Sequence, residues 1–223
     1  MQLKKPPGQI YFSILQKNGI IPNGLQYGDI KNIFAESWLE MSKQVPPDFK
    51  DRYASHKNGC NGWWIDLINT FVNKMNTPKK IQKGVYGEIF KQFDDPDIWS
   101  IEPTFEKLRE FTLKNGIGLG IISNWDLRLR QLLINKNLIG YFEHVIISAE
   151  FGYEKPSLKI FEEGNRLTSY AGKEIIYVGD KPELDYYPPL QLGWSVYLKE
   201  TKPNQNHFQT IKYLSDIIDF CKT

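Results

Sequence analysis

Three short stretches of this sequence carry side chains able to handle an anion or a hard cation: Ser123-Asn124, Lys155-Pro156, and Gly179-Asp180 with Asp185 close behind. A hydroxyl beside backbone N–H groups can hold a phosphate oxygen, and a lysine can meet an anion as a point charge. Two carboxylates on one loop can offer oxygen ligands to Mg²⁺. Each stretch alone also has an ordinary structural reading. Ser, Asn and Asp hydrogen-bond locally in turns and helix caps, a proline after Lys155 suits a helix entry, and Gly179 lets the chain turn tightly. The combination is what points to chemistry: Ser123, Lys155 and Asp180 lie 32 and 25 residues apart, and each follows a short apolar run.

Those runs, residues 117–123, 144–149, 175–179 and 194–198, alternate with helical stretches at 103–115, 127–137, 157–168 and 208–221. Such alternation predicts βαβ units and a parallel sheet, whose ligands sit at the carboxyl ends of the strands. Asp126 is placed to cap the second of these helices. Upstream, from Gly8 to about Phe93, apolar residues recur at helical spacing, as in Ile30, Ile33, Phe34, Trp38 and Met41. Turn clusters at Asn18-Gly19, Pro46-Pro47, Asn58-Gly59 and Thr77-Pro78 divide this part into four helices of roughly three to four turns. Trp63, Trp64 and Phe71 read as core of that half.

Composition excludes several classes. With 28 Lys+Arg against 26 Asp+Glu the net charge is +2, so neither nucleic acid nor a membrane surface is an expected partner. The only two cysteines, Cys60 and Cys221, form neither a disulfide framework nor a zinc site, which favours a reducing compartment. His56, His144 and His207 share no metal-ligand spacing. The longest nearly apolar run, residues 117–122, is too short for a bilayer, and residues 1–7 lack a signal-like stretch. An intracellular protein, cytoplasmic or nuclear, is the expectation.

In combination these stretches resemble the haloacid dehalogenase-like (HAD) hydrolase superfamily: Ser123-Asn124 matches its second motif, Lys155-Pro156 its third, and Gly179-Asp180 with Asp185 its fourth. The likeness extends to residues 5–11, Gly62-Trp63-Trp64, Trp125-Asp126 with Arg128-Leu129, and Asp185-Tyr186, and so covers nearly the whole chain. It implies an α/β fold: a HAD-like Rossmannoid parallel-sheet core of residues 98–223 with 1–7, carrying an inserted α-helical cap at 8–97. It further implies a Mg²⁺-dependent phosphatase that acts on a small phosphomonoester through an aspartyl-phosphate. Ser123 and Lys155 would be the catalytic residues, binding phosphate together with Asn124, and Asp180 and Asp185 the metal side.

One element of the family pattern is absent. The first motif, Asp-x-Asp-x-Thr after the first core strand, carries the nucleophile, and no such sequence precedes Leu3. Asp95-Pro96-Asp97 has no apolar strand ahead of it and reads as a linker turn. The resemblance therefore implies a core without its first strand, an incomplete Mg²⁺ site and an inactive chain, most simply an N-terminally truncated form. A central gap would leave backbone groups needing partners. The alternative is a catalytically inactive HAD-like binding protein that uses its Trp-rich helical half as an interaction face. Tyr186-Tyr187-Pro188-Pro189 replaces a Gly-Ala pair common in the wider family, so a displaced Asp185 is also expected.

Overall fold

Proline in its first turn starts helix α1 (Pro7–Lys17), because the missing N–H falls where no helical partner exists. Helices α2 (Tyr27–Ser42), α3 (Gly59–Lys74) and α4 (Lys83–Asp94) complete the four expected in this half. At the start of α2 the backbone N–H of Gln26 donates to Asp29 at 2.8 Å, which satisfies a group the helix leaves free. The helices bury Leu15, Phe34, Ile68, Phe71 and Ile89 in one core, with the Phe34 and Phe71 rings edge-on at 5.3 Å. Trp63 is likewise buried, as expected for a core residue. In a computed structural model, residues 1–76, 80–170, 172–199 and 208–221 are described; His207 and the Thr77-Pro78 turn lie outside them.

The chain divides into two units, residues 1–46 with 52–100 and residues 47–51 with 101–223. Residues 1–7, expected with the α/β half, fall in the helical unit instead. The reason is a short antiparallel pairing of β1 (Gln2–Leu3) with β2 (Trp99–Ser100), which ties the chain start to the end of the helical half. Between them, Asp95 accepts from the N–H of Asp97 at 2.8 Å and starts a 3₁₀ turn at Pro96–Ile98, so Asp95-Pro96-Asp97 is a turn as expected but lies inside the helical unit, not in a linker between the units.

The second unit alternates as expected. It runs α5 (Phe105–Lys114), β3 (Gly120–Ser123), α6 (Arg128–Asn135), β4 (His144–Ile147), α7 (Ser148–Phe151), α8 (Leu158–Thr168), β5 (Ile176–Gly179), α9 (Tyr187–Gln191), β6 (Ser195–Lys199) and β7 (Thr210–Ile211). Asp126 does cap α6, accepting from the Arg128 N–H at 2.9 Å. Residues 208–221, expected to be helical, are not one helix. β-branched Thr210 and Ile211 pair in parallel with Leu198 and Lys199 of β6. Asp216 then accepts from the N–H groups of Lys212 and Tyr213, and only Leu214–Asp219 winds, as a 3₁₀ helix.

All strand pairs in this unit are parallel, but they form two ladders, β3–β4 and β5–β6–β7, and among the described residues no ladder joins β3 to β5. The two belong to one layer, because Ile122 of β3, Ile146 of β4, Tyr177 of β5 and Val196 of β6 share a core with Ile160 and Phe161 of α8. On the opposite face Ile121 and Ile147 pack against Leu129 and Leu133 of α6. β3 and β5 are nonetheless only half-buried, whereas Ile147 of β4 and Leu198 of the central β6 are almost completely covered. Strands of parallel sheets are normally buried between two neighbours. Among the described residues β3 pairs only with β4, and β5 only with β6.

Candidate functional site at the strand ends

Ser123 is the last residue of β3 and Gly179 the last of β5, so each is followed by the loop that the sequence singles out. Lys155 arrives from the chain after β4. Its backbone is fastened by Asn124: the Asn124 Nδ2 donates to the Lys155 carbonyl at 2.8 Å, and the Lys155 N–H donates to Asn124 Oδ1 at 2.6 Å. Ser148 performs a similar task one residue on, accepting from the Trp125 N–H at 3.0 Å while its own hydroxyl reaches the Trp125 carbonyl. The Asn124 side chain is thus occupied with placing Lys155, and what it can still offer phosphate is its backbone. Asn124→Ala leaves two groups of the Lys155 backbone unpartnered, and the expected cost is about 2 kcal/mol in a urea melt.

A second support comes from residues 47–51. The Glu154 N–H donates to the Phe49 carbonyl and the Asp51 N–H to the Gly152 carbonyl, both at 2.9 Å, so this segment straps the turn just ahead of Lys155. Asp48 and Phe49 hold it with φ of 58° and 54°. Two successive side-chain-bearing residues in the left-handed region are costly, and such a loop persists only where its surroundings hold it. Nothing in the local sequence announces this pairing.

Lys155 and Asp185 form a buried ion pair, Nζ to Oδ1 at 2.5 Å, with side chains 11% and 4% exposed. The remaining Asp185 oxygen, Oδ2, accepts from the N–H groups of Asp180 and Lys181 at 3.2 Å each. Tyr177 Oη lies 3.0 Å from Oδ1, which brings the donors on this carboxylate to four. Burial by itself pushes the Asp185 carboxyl up; the Lys155 charge and these hydrogen bonds outweigh it and hold the group below the usual carboxylate range. Burial, then the neighbouring Asp185 charge, pushes the Tyr177 phenol well up.

Gly179 serves a different purpose from the one its position suggests. Its φ is not in the left-handed region, so the turn does not require glycine. A Cβ there would fall on the Asp185 side chain, 2.8 Å from its Oδ2. Glycine is needed so that this carboxylate can lie against the end of β5. Gly179→Ala forces Asp185 out of its place, with an expected loss of about 1–3 kcal/mol on thermal unfolding.

Asp180 is exposed at the same strand end. It and Asp185 are therefore unequal as metal ligands. Asp180 can turn an oxygen toward a cation, while Asp185 has both oxygens committed to donors. Among the described residues no group of three His, Cys, Asp or Glu side chains converges. One carboxylate still fits Mg²⁺, which commonly takes one or two carboxylates and fills its other positions with water and phosphate oxygens.

Helices on both faces of parallel strands, with charged side chains gathered at the carboxyl ends, define an α/β protein of the Rossmann-like class. Within that class the family is fixed: residues 28–187 match the haloacid dehalogenase-like hydrolase model, and the chain belongs to that family. It is 27% identical over 202 residues to human haloacid dehalogenase-like hydrolase domain-containing protein 3, covering 89% of this chain and 76% of that one. Glyceraldehyde 3-phosphate phosphatase of Methanocaldococcus jannaschii is 26% identical, with 86% and 82% covered. The fold is also that of a HAD phosphatase from Thermococcus onnurineus, with a TM-score of 0.62, 19% identity and 96% and 87% covered. YfnB of Bacillus subtilis, a structure bound to magnesium, gives 0.68, 14%, 97% and 92%. Among the described residues no helix is long and apolar enough to cross a membrane.

Sequence reasoning identified Ser123, Asn124, Lys155, Asp180 and Asp185, and the structure brings Lys155 into contact with Asn124 and Asp185. Tyr177 and Ser148 lie outside those motifs. For Tyr177 a signal existed: it puts a hydroxyl into a strand whose neighbours are Ile176 and Val178. A polar tip in such a run needs a partner.

Proposed function

We propose that this chain binds the phosphoryl group of a small phosphomonoester, together with Mg²⁺, at the carboxyl ends of β3 and β5, in the manner of a HAD phosphatase. The observation that carries the reading is the buried Lys155–Asp185 pair beside the exposed Asp180. Lys155 supplies the positive charge for phosphoryl oxygens, and Ser123 with the backbone N–H groups after β3 supplies neutral donors. Asp180 is the protein's ligand to the ion. Asp185 holds Lys155 and the Asp180 loop in place rather than touching metal. Mg²⁺, when bound, neutralises charge on the phosphoryl group. The named phosphatase among the relatives supports a small phosphorylated substrate.

Turnover requires more. In the family's reaction a carboxylate oxygen bonds to phosphorus as the ester oxygen leaves with a proton, and water then cleaves the aspartyl-phosphate. Neither carboxylate of this site is available to attack, since Asp185 is held by four donors and Asp180 is the ligand to the ion. The described residues are thus suited to binding without hydrolysis, which also keeps the non-catalytic reading in play. Equilibrium dialysis of residues 1–223 with inorganic phosphate and Mg²⁺ tests the binding claim. Lys155→Met is expected to weaken phosphate at least about tenfold. Equal retention by both proteins would remove Lys155 from the reading.

A further inference from the structure

Lys155 has three N–H bonds and no acceptor, and the structure uses all three: Asp185 Oδ1 at 2.5 Å, Tyr177 Oη at 3.2 Å and the Ile122 carbonyl at 3.4 Å. An ammonium can only donate, so toward Lys155 the tyrosine oxygen must accept. Its single proton is then left for Asp185 Oδ1, 3.0 Å away. The hydroxyl is therefore oriented from both sides by charged neighbours. The ring that carries it is held by the core, edge-on to Phe161 at 5.4 Å and beside Trp194 at 5.9 Å. Trp194 is itself anchored, its Nε1 donating to Asn165 Oδ1 at 2.9 Å.

A phosphate oxygen arriving at the strand ends finds no free N–H on Lys155 and must take one from an existing partner. The Ile122 carbonyl is the weakest of the three, being the most distant and uncharged. We propose that Tyr177 is a positioning residue for anion binding: a fixed acceptor that, with Asp185, keeps the Lys155 ammonium aimed while its third N–H passes from the Ile122 carbonyl to a phosphate oxygen. This rests on the phosphate-site reading given above. It adds a residue from inside β5, which contacts neither phosphate nor metal and acts only through the lysine.

Tyr177→Phe removes the hydroxyl and keeps the ring. The test compares this variant with the unmodified chain in two measurements. Calorimetric titration with inorganic phosphate and Mg²⁺ is expected to show a dissociation constant raised about tenfold, the loss of one hydrogen bond to a charged group. Limited acetylation followed by peptide mass spectrometry is expected to show Lys155 modified several-fold faster. Surface lysines such as Lys173 and Lys107 serve as internal standards in the same sample. General loosening of the fold would raise many sites together, and circular dichroism checks the fold directly. Unchanged phosphate affinity together with unchanged Lys155 acetylation overturns the proposal. If the unmodified chain itself binds no phosphate, the site reading fails, and Tyr177 loses its role in anion binding; faster acetylation in the variant would then show only a hold on Lys155.

Discussion

A chain that carries, ahead of Met1, a short apolar strand ending in Asp-x-Asp-x-Thr is expected to hydrolyse p-nitrophenyl phosphate at least about a thousandfold faster than residues 1–223. The expectation follows from the two ladders. β3 and β5 run parallel to their partners, share the core under α8, and among the described residues each pairs on one side only. A parallel strand bonded to both would be buried on its two faces, which is why the added segment must be apolar throughout. Its carboxyl end would emerge between Ser123 and Gly179, where Lys155 and Asp180 stand. A twin with the first aspartate changed to asparagine separates folding from chemistry: it should gain the same thermal stability without the turnover. A stably folded, extended chain that hydrolyses nothing across a broad phosphomonoester panel would leave the non-catalytic reading as the better one.

Asp185→Ala is expected to destabilise the chain by about 3–5 kcal/mol, because it leaves the buried Lys155 ammonium without its charged partner. For a protein of this length that corresponds to a fall of about 10 °C in melting temperature. Asn124, Ser148 and the 47–51 strap all converge on the segment around Lys155, so the damage should spread to phosphate binding too. Replacing both partners by apolar residues, Lys155→Met with Asp185→Leu, should recover much of the stability and none of the binding. The pair also sets a pH dependence. Since the folded protein holds the Asp185 carboxyl below its usual range, the unfolded chain binds that proton first on acidification. The stabilisation is complete above about pH 4 and is lost as the pH falls through the depressed value. Asp185→Asn should flatten this acid limb in urea midpoints measured against pH. An unaltered limb would mean that other carboxylates govern acid unfolding.

Strand and helix order in the α/β unit was legible because the two periods differ: short β-rich runs against stretches repeating at helical spacing. The exception, residues 208–221, shows the limit of that signal. Ile211, Ile217 and Ile218 are buried at spacings that suit a helix, yet Ile211 lies in a strand because β6 offers it an edge to pair with. A sequence does not display that competition between local winding and a distant ladder. The strap at 47–51 is similar, since its partners stand about a hundred residues away.

At the site, residue types and order were enough to name Ser123, Asn124, Lys155, Asp180 and Asp185. They were enough because a parallel sheet collects its loops at one end, whatever their separation along the chain. Which of these side chains stay exposed and which are engaged within the chain depends on tertiary contacts. Asp180 and Asp185 are the same residue type five positions apart, but one is exposed and the other is 3% exposed and bound by four donors. Asn124 faces the Lys155 backbone, and Gly179 is small because a carboxylate lies against it. Residue types and their order set the chemistry present at the strand ends. Packing and hydrogen bonding, which depend on residues some 30 positions apart meeting in space, decided which groups remain free to use it.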